Sequence, residues 1–452
     1  MTSRRDLLKL TAAGFPYLAL SGMAAEQALA AKAAYANPLT PRKPHFDAKV
    51  KRVIFLFMQG APSQHETFDY NQELVKAAGQ SVEGAKQKLL APVYKFKPSG
   101  KSGLMISEVF PHLSKHADDL CLLNGMHTNS PAHPQASIFM HTGSFTFVRP
   151  SIGSWVVYGL GTENKDLPGF ITMNPVGLGG AALYGSAFLP ASYQGTAITI
   201  QRGQLPIENI RNAKLTAEKQ RRQIDFVQEM NRETLAHAKA DNELEGLIES
   251  YELAFRMQGA VPKLMDVKTE SAATLDAYGI NETETRAFGS QCLLARRMAE
   301  AGVRFIELNM NGWDQHQQLK SKIASNAAAI DKPIAALMED LKQRGLFNDT
   351  LLVWGGEFGR SAHEQGPGGD GRQHNNRGYS MWVAGGGIKG GTRFGACDVN
   401  GSAVEDKVHL HDLNATILHL LGLDHKRLTF RYGGRDFRLT DVHGNVVKQI
   451  LA

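Results

Sequence analysis

Short, largely apolar runs recur along the chain, at residues 53–58, 120–123, 170–173, 303–308, 350–354 and 381–384. A strand with one wet face alternates apolar and polar side chains, whereas a strand covered on both faces does not. Val53-Ile54-Phe55-Leu56-Phe57-Met58, closed by Gln59-Gly60-Ala61-Pro62, is the clearest case of the second kind. Helical patterns lie between several of these runs. Leu293, Leu294, Met298 and Ala301 mark one over 283–301, and Ile330, Ile334, Leu337 and Leu341 mark another over 323–344. Strands alternating with helices imply an α/β fold, a mostly parallel central sheet with helices on both faces. At 452 residues and 42% hydrophobic content the chain has enough apolar surface to cover such a sheet twice. Ligands in these sheets bind beyond the carboxyl ends of the strands. From Pro206 to about 275 the rhythm changes to a charged, helix-prone stretch, which reads as a helical insertion capping the sheet edge.

The N-terminus predicts export. Ser3-Arg4-Arg5-Asp6-Leu7-Leu8-Lys9 precedes a mildly apolar stretch and then Ala28-Leu29-Ala30, a small-residue pattern suited to signal peptidase. The paired arginines are similar to a twin-arginine signal, and the stretch is too weakly apolar for a membrane span. The expected organisation is a signal peptide at 1–30, a linker at 31–50 and one domain over 51–452. The expected partner is the twin-arginine export machinery, with a periplasmic or extracellular destination and no stable membrane span in the mature chain. Cys121, Cys292 and Cys397 are widely spaced in apolar surroundings, so they read as buried packing residues without a disulfide framework. A net charge of +6 spread along the chain, with no basic face bearing stacking aromatics, argues against nucleic acid as a partner.

Polar clusters follow or adjoin the later apolar runs. They are Gly312-Trp313-Asp314-Gln315-His316, Gly355-Gly356-Glu357-Phe358-Gly359-Arg360 and Gly371-Arg372-Gln373-His374-Asn375. Carried to one rim, Asp314, His316, Glu357 and His374 make a ligand set for a divalent metal, with zinc, manganese or calcium the expected ions. Against this, Asp314 has the alternative of capping the next helix, with His316 and His374 simply solvated. Arg360 has two roles open to it, gripping an anionic substrate or pairing with Glu357 or Asp314. Ser63, His65 and Glu66 follow the first strand and line the same rim by topology. His409, His411, Asp412 and His419 read as mainly structural, with Asp412 the N-cap of a helix over 413–421 that Gly422 ends. Gly385-Gly386-Gly387 lacks the lysine and serine of a phosphate loop and reads as a turn.

These phrases, together with the 53–69 segment and His411-Asp-Leu-Asn-Ala-Thr-Ile-Leu-His-Leu-Leu-Gly-Leu423, resemble a bacterial family of exported proteins known as domain of unknown function 1501 and often labelled sulfatase-like. The resemblance runs over nearly all of the chain after the signal. It implies an alkaline-phosphatase and sulfatase type of fold, with Asp314, His316, Glu357 and His374 in metal-binding positions. The chain departs from that pattern at Gln59-Gly60, where the first strand would end in a metal-binding aspartate. It also has His133 near the position of the nucleophile, and no sulfatase-type cysteine or serine modification motif.

Two readings of function follow. The first is an exported metal-dependent hydrolase of phosphate or sulfate esters, acting on a small anionic ester or a sulfated or phosphorylated glycan. Metal-activated water would attack with His133 or His65 as base, or Ser63 would supply a hydroxyl. The second is a catalytically silent anion- or glycan-binding envelope protein on the same scaffold.

Overall fold

The computed structural model describes residues 37–81, 87–175, 177–200, 214–237, 242–366 and 368–452. The expected signal peptide lies outside the described residues, as do 31–36 of the linker and part of the expected insertion. Strands and helices follow one another along the chain, with helices between several of the central strands. They are β1 (Arg52–Met58), α1 (Gln64–Thr67), β2 (Leu120–His127), α2 (His133–Thr142), α3 (Ile152–Leu160), β3 (Phe170–Met173), β4 (Thr196–Ile198), α4 (Ala217–His237), α5 (Asn242–Met265), α6 (Arg286–Glu300), β5 (Phe305–Met310), α7 (Leu319–Gln343), β6 (Thr350–Gly355), the hairpin β7 (Gly359–Gln365) and β8 (Gly371–Asn375), β9 (Tyr379–Gly385), β10 (Thr392–Phe394), β11 (Val408–His409) and α8 (Leu410–Leu420).

The central sheet has the order β10-β2-β9-β6-β1-β5-β3-β4, and β11 also pairs with β2. All of these pairings are parallel except those of β9, which is antiparallel to β6 and β2. The sheet is therefore mostly parallel, with one reversed member. Every residue of β1 is buried, and its side chains divide between two cores. Ile54, Leu56 and Met58 pack with α6 and α7, while Val53, Phe55 and Phe57 pack with α2, α3 and α8. This is the period of two of a pleated strand working against two apolar layers, and it explains the uninterrupted hydrophobic run.

The stretch with the charged composition forms α4 and α5, held to each other by Arg221 and Glu252 at 2.9 Å. Met257 and Val261 of α5 join the core that contains Ile198 of β4. No helix among the described residues is long and apolar enough to cross a membrane. Cys121, Cys292 and Cys397 are buried and free.

Helix α8 begins earlier than expected. His409 is its N-cap and Asp412 sits three positions inside, in a capping box where Asp412 Oδ2 accepts the His409 backbone N–H at 3.0 Å. Asp412 was placed at the cap itself on sequence grounds; the reciprocal bonding with His409 moves the start back by three residues.

Candidate metal centre

The carboxyl ends of β1, β2, β5 and β6 and the starting end of β9 meet at one rim. Past β5, burial alternates along an extended segment: Trp313 and Gln315 point inward, Asp314 and His316 outward. Alternate residues of an extended chain share a face, so the inward pair anchors the segment and the outward pair is presented together. The close packing needs Gly60 after β1. Its φ is +106°, and a Cβ there would stand 2.5 Å from the Asp314 backbone nitrogen. His133 opens α2 with Pro134 in the first turn, and His374 lies in β8 opposite Arg360 of β7.

Three imidazoles converge on one carboxylate oxygen. Asp314 Oδ1 lies 2.8 Å from His316 Nε2, 3.2 Å from His133 Nε2 and 3.3 Å from His374 Nε2. The far nitrogen of each ring is engaged elsewhere. His133 Nδ1 is 2.6 Å from Glu357 Oε1, His374 Nδ1 is 2.7 Å from the Pro131 carbonyl, and His316 Nδ1 is 2.6 Å from Gln365 Oε1. Carboxylate, carbonyl and amide oxygens accept hydrogen bonds, so each Nδ1 carries the hydrogen and each Nε2 is left to face Asp314.

A cation suits this arrangement. The Nε2 atoms of His316 and His374 are 2.9 Å apart, and with both Nδ1 hydrogens committed, two lone pairs face each other unless a proton or cation lies between them. His133 Nε2 is buried without an aligned hydrogen-bond partner despite its 3.2 Å approach to Asp314. Ligand atoms of one ion behave this way, lying close together while pointing at a common centre. Around a tetrahedral zinc with bonds of about 2.0 Å, neighbouring ligand atoms sit about 3.3 Å apart. His133, Asp314 and His374 each bring one ligand atom within 4.8 Å of the others, and no other such group occurs among the described residues.

The charges reinforce one another. Burial alone would raise the pKa of Asp314, but the neighbouring His133, His374 and Arg360 side chains hold it well below the usual carboxylate range. Burial alone would lower His133; Asp314 and Glu357 outweigh it and push the imidazole up to about 9. Without a metal, His133 thus lies between two carboxylates that favour its protonated form. Phe358 packs against His133 at 4.7 Å and His374 at 4.9 Å between ring centroids, closing one side of the cluster. The other side is open, with the Asp314 side chain 43% exposed.

Asp314, His316 and His374 therefore lie together, and two other candidates are placed differently from the expectation. Glu357 was expected as a ligand but stands behind His133, fully buried, with both oxygens accepting from the Gly60 backbone N–H at 3.0 and 3.3 Å. His133, expected as a candidate base, stands in front of it, between Glu357 and Asp314.

The remaining candidates are enclosed. Arg360 is buried, and its guanidinium donates to Asp314 and to the carbonyls of Gly60, Ala61, Trp313 and Arg372, which leaves no open face for a substrate. Of the two roles open to it, pairing with Asp314 is the observed one. Ser63 is fully buried, its hydroxyl donating to Glu66, and Glu66 is in turn paired with Arg372 at 2.7 Å. His65 is fully buried and accepts from Gln64 Nε2 at 3.1 Å. Burial and then the Arg372 charge push its pKa well below the usual histidine value. These placements remove Ser63 and His65 from contact with a ligand on the open side. Pro131 and Gln365 escaped sequence reasoning: a backbone carbonyl leaves no sequence trace, and Gln365 carries no motif.

A family model described as "Protein of unknown function (DUF1501)" matches residues 50–451. No curated protein sequence matches the chain. Similar solved structures include the lipoteichoic acid synthase LtaP from Listeria monocytogenes, with 8% identity over 89% of this chain and 78% of that one and a TM-score of 0.41. Another is the PsFucS1 sulfatase from Pseudoalteromonas sp., with 13% identity over 84% and 68% and a TM-score of 0.37. A third is a mutant of TAB5 alkaline phosphatase, with 11% identity over 83% and 99% and a TM-score of 0.36.

Proposed function

The chain belongs to the DUF1501 family, and from that premise we propose that it is an exported, metal-dependent hydrolase of phosphate or sulfate esters. One observation carries the reading: three imidazoles, each fixed at Nδ1 by an acceptor, present Nε2 to a single Asp314 oxygen. His133, His316, His374 and Asp314 would hold the ion. Imidazole nitrogens with one carboxylate favour zinc or manganese, whereas calcium prefers an all-oxygen set. When bound, such an ion supplies Lewis-acid polarisation of an ester oxygen and acidifies a coordinated water.

The chain's own residues do the positioning. Glu357 fixes the His133 ring and adds electron density to it, the role carboxylates take behind metal-binding histidines. Arg360 keeps Asp314 ionised and tethered to the carbonyls after β1. Phe358 excludes water from the inner side of His133 and His374, and the exposed side of Asp314 is the face left for an anionic ester. The enclosure of Ser63 favours water over a serine hydroxyl as the attacking group. Candidate substrates are small anionic esters and sulfated or phosphorylated glycans. Export through the twin-arginine machinery, to the periplasm or beyond, rests on the Arg4-Arg5 segment.

The enclosed Ser63, and Gln59 where an acid would be expected, favour a second reading, a turnover-silent anion- or glycan-binding protein. Elemental analysis beside turnover separates the two. The hydrolase reading expects about one ion per chain in the wild type, loss of that ion in His374→Ala and Asp314→Asn, and metal-dependent hydrolysis of an aryl phosphate, aryl sulfate or phosphodiester. Bound metal with no turnover on any of these would leave the binding reading, and no bound metal would overturn the site itself.

A further inference from the structure

A second polar site lies on the same rim, where a cleft of about 540 Å³ opens between the start of α8 and the segment after the Phe430–Phe437 hairpin. Its lining includes His409, Asp412, Lys426, Arg438, His443 and Asn445. Three of these are already engaged in building it. His409 Nδ1 accepts the His411 backbone N–H at 3.2 Å, so its Nε2 carries the hydrogen and donates to Asn129 Oδ1 at 2.9 Å. The Asp412 carboxylate accepts from the backbone N–H groups of His409 at 3.0 Å and Asn445 at 2.6 Å, pinning the 441–445 turn to the helix. The carboxylate is thus turned to its own backbone donors.

The other charges have no such partner. Among the described residues no carboxylate pairs with Lys426 or Arg438. The guanidinium of Arg438 donates through Nε to the Asp441 carbonyl, while the Asp441 carboxylate pairs with Arg435. The Nη groups of Arg438, the Lys426 ammonium and the His443 ring remain as donors around the cleft. Behind them His411 is 3% exposed, stacks on His443 with centroids 5.1 Å apart, and has a buried Nδ1 without a partner. Two cations and an imidazole beside a cleft large enough for a sugar or a small anion are the chemistry of oxyanion recognition.

The cleft is connected to the candidate metal centre by a short length of chain. His409 holds Asn129, two residues further the Pro131 carbonyl fixes His374, and two residues beyond that stands His133. Asn376 and Thr128 exchange hydrogen bonds at 2.9 Å across the same place.

We infer that Lys426, Arg438 and His443 form a second oxyanion site, which takes a sulfate or phosphate group of an extended substrate whose other anionic ester is presented to the Asp314 face. The inference rests on the hydrolase reading for the owner of the anion, whereas the site itself does not.

The test uses the full chain with labelled histidine rings, titrated with inorganic phosphate at neutral pH and followed at His443 by NMR. Saturable binding is expected through the millimolar range, weakened about tenfold or more in Lys426→Ala/Arg438→Ala, the loss of at least one charge-assisted hydrogen bond. Both substituted side chains lie at or near the surface, and an unchanged unfolding midpoint certifies the fold. His374→Ala, which dismantles the metal centre, is expected to leave phosphate binding at His443 unchanged. Absence of saturation, an unaltered affinity in the double variant, or loss of binding in His374→Ala would each overturn the site. A second arm compares inorganic sulfate with a disulfated disaccharide. About tenfold tighter binding of the disaccharide supports the extended substrate, and equal affinity overturns that part of the proposal.

Discussion

Glu357→Gln is the substitution that most directly separates a residue holding a metal from one that positions its ligand. Glu357 is fully buried, and its Oε1 receives both the His133 Nδ1 hydrogen at 2.6 Å and the Gly60 N–H at 3.0 Å. Glutamine can keep its amide oxygen at the Oε1 position, so both donors stay satisfied and the ring stays oriented. What disappears is the negative charge that strengthens His133 as a donor of electrons to the ion. Loss of such a supporting group lowers metal affinity about 10- to 100-fold. That corresponds to about 1.4 to 2.8 kcal/mol. The assay is competition for zinc against a chromophoric chelator at neutral pH, with Asp314→Asn as the comparison that removes a ligand outright. An affinity within about threefold of wild type would show that Glu357 does not tune His133. A loss beyond about 1,000-fold, equal to that of Asp314→Asn, would make Glu357 a ligand and refute the placement argued above.

Other outcomes follow from the same geometry. In metal-free protein His133 is raised to about 9 because Asp314 and Glu357 outweigh burial, while an unfolded histidine titrates near 6.5. Its stabilisation is therefore complete below about pH 6.5 and lost as pH rises through about 9, on the order of 1 to 3 kcal/mol once solvent screening is discounted. Urea midpoints in chelator that stay flat across that window would contradict it. Zinc affinity is expected to rise over the same window, because the ion displaces that proton. Arg372→Ala leaves Glu66 charged and unpaired in a site where both side chains are 0% exposed, and should cost about 3 to 5 kcal/mol by chemical denaturation. A cost below about 1 kcal/mol would mean that the buried pair is not ionised. Ser63→Ala should keep its metal and most of any ester hydrolysis; turnover abolished with metal retained would identify Ser63 as the nucleophile.

The architecture was legible because a strand covered on both faces has a compositional signature. Continuous runs such as 53–58 fixed the sheet, and the glycine-rich phrases after them marked the rim. The direction of β9 was not legible, since 381–384 is apolar whichever way it runs. Only its pairing with Val353 and Cys121 shows the reversal. The polar cluster was legible in its residue types but not in its depth. Spacing brings Glu357 and His133 to the same rim, yet which of them stands in front depends on where the Gly60 N–H and the first turn of α2 lie. The clue for Glu357 was its setting between buried glycines and Phe358, an environment without room for water. Ser63 and His65 were placed at the rim by topology, and the Glu66–Arg372 pair then draws the first turn after β1 into the interior.

The reversed strand has a consequence for how the molecule is made. His133 and Asp314 arrive after strands that run toward the rim, whereas His374 arrives before one that runs away from it. The constellation therefore has 240 residues between its first and last members, His133 and His374, and stays unfinished until synthesis is well into the final third of the polypeptide. A nascent or truncated chain holds at most fragments of it, so capture of the proposed ion would report completed tertiary assembly, and metal content would measure the fraction of molecules that have reached their native topology.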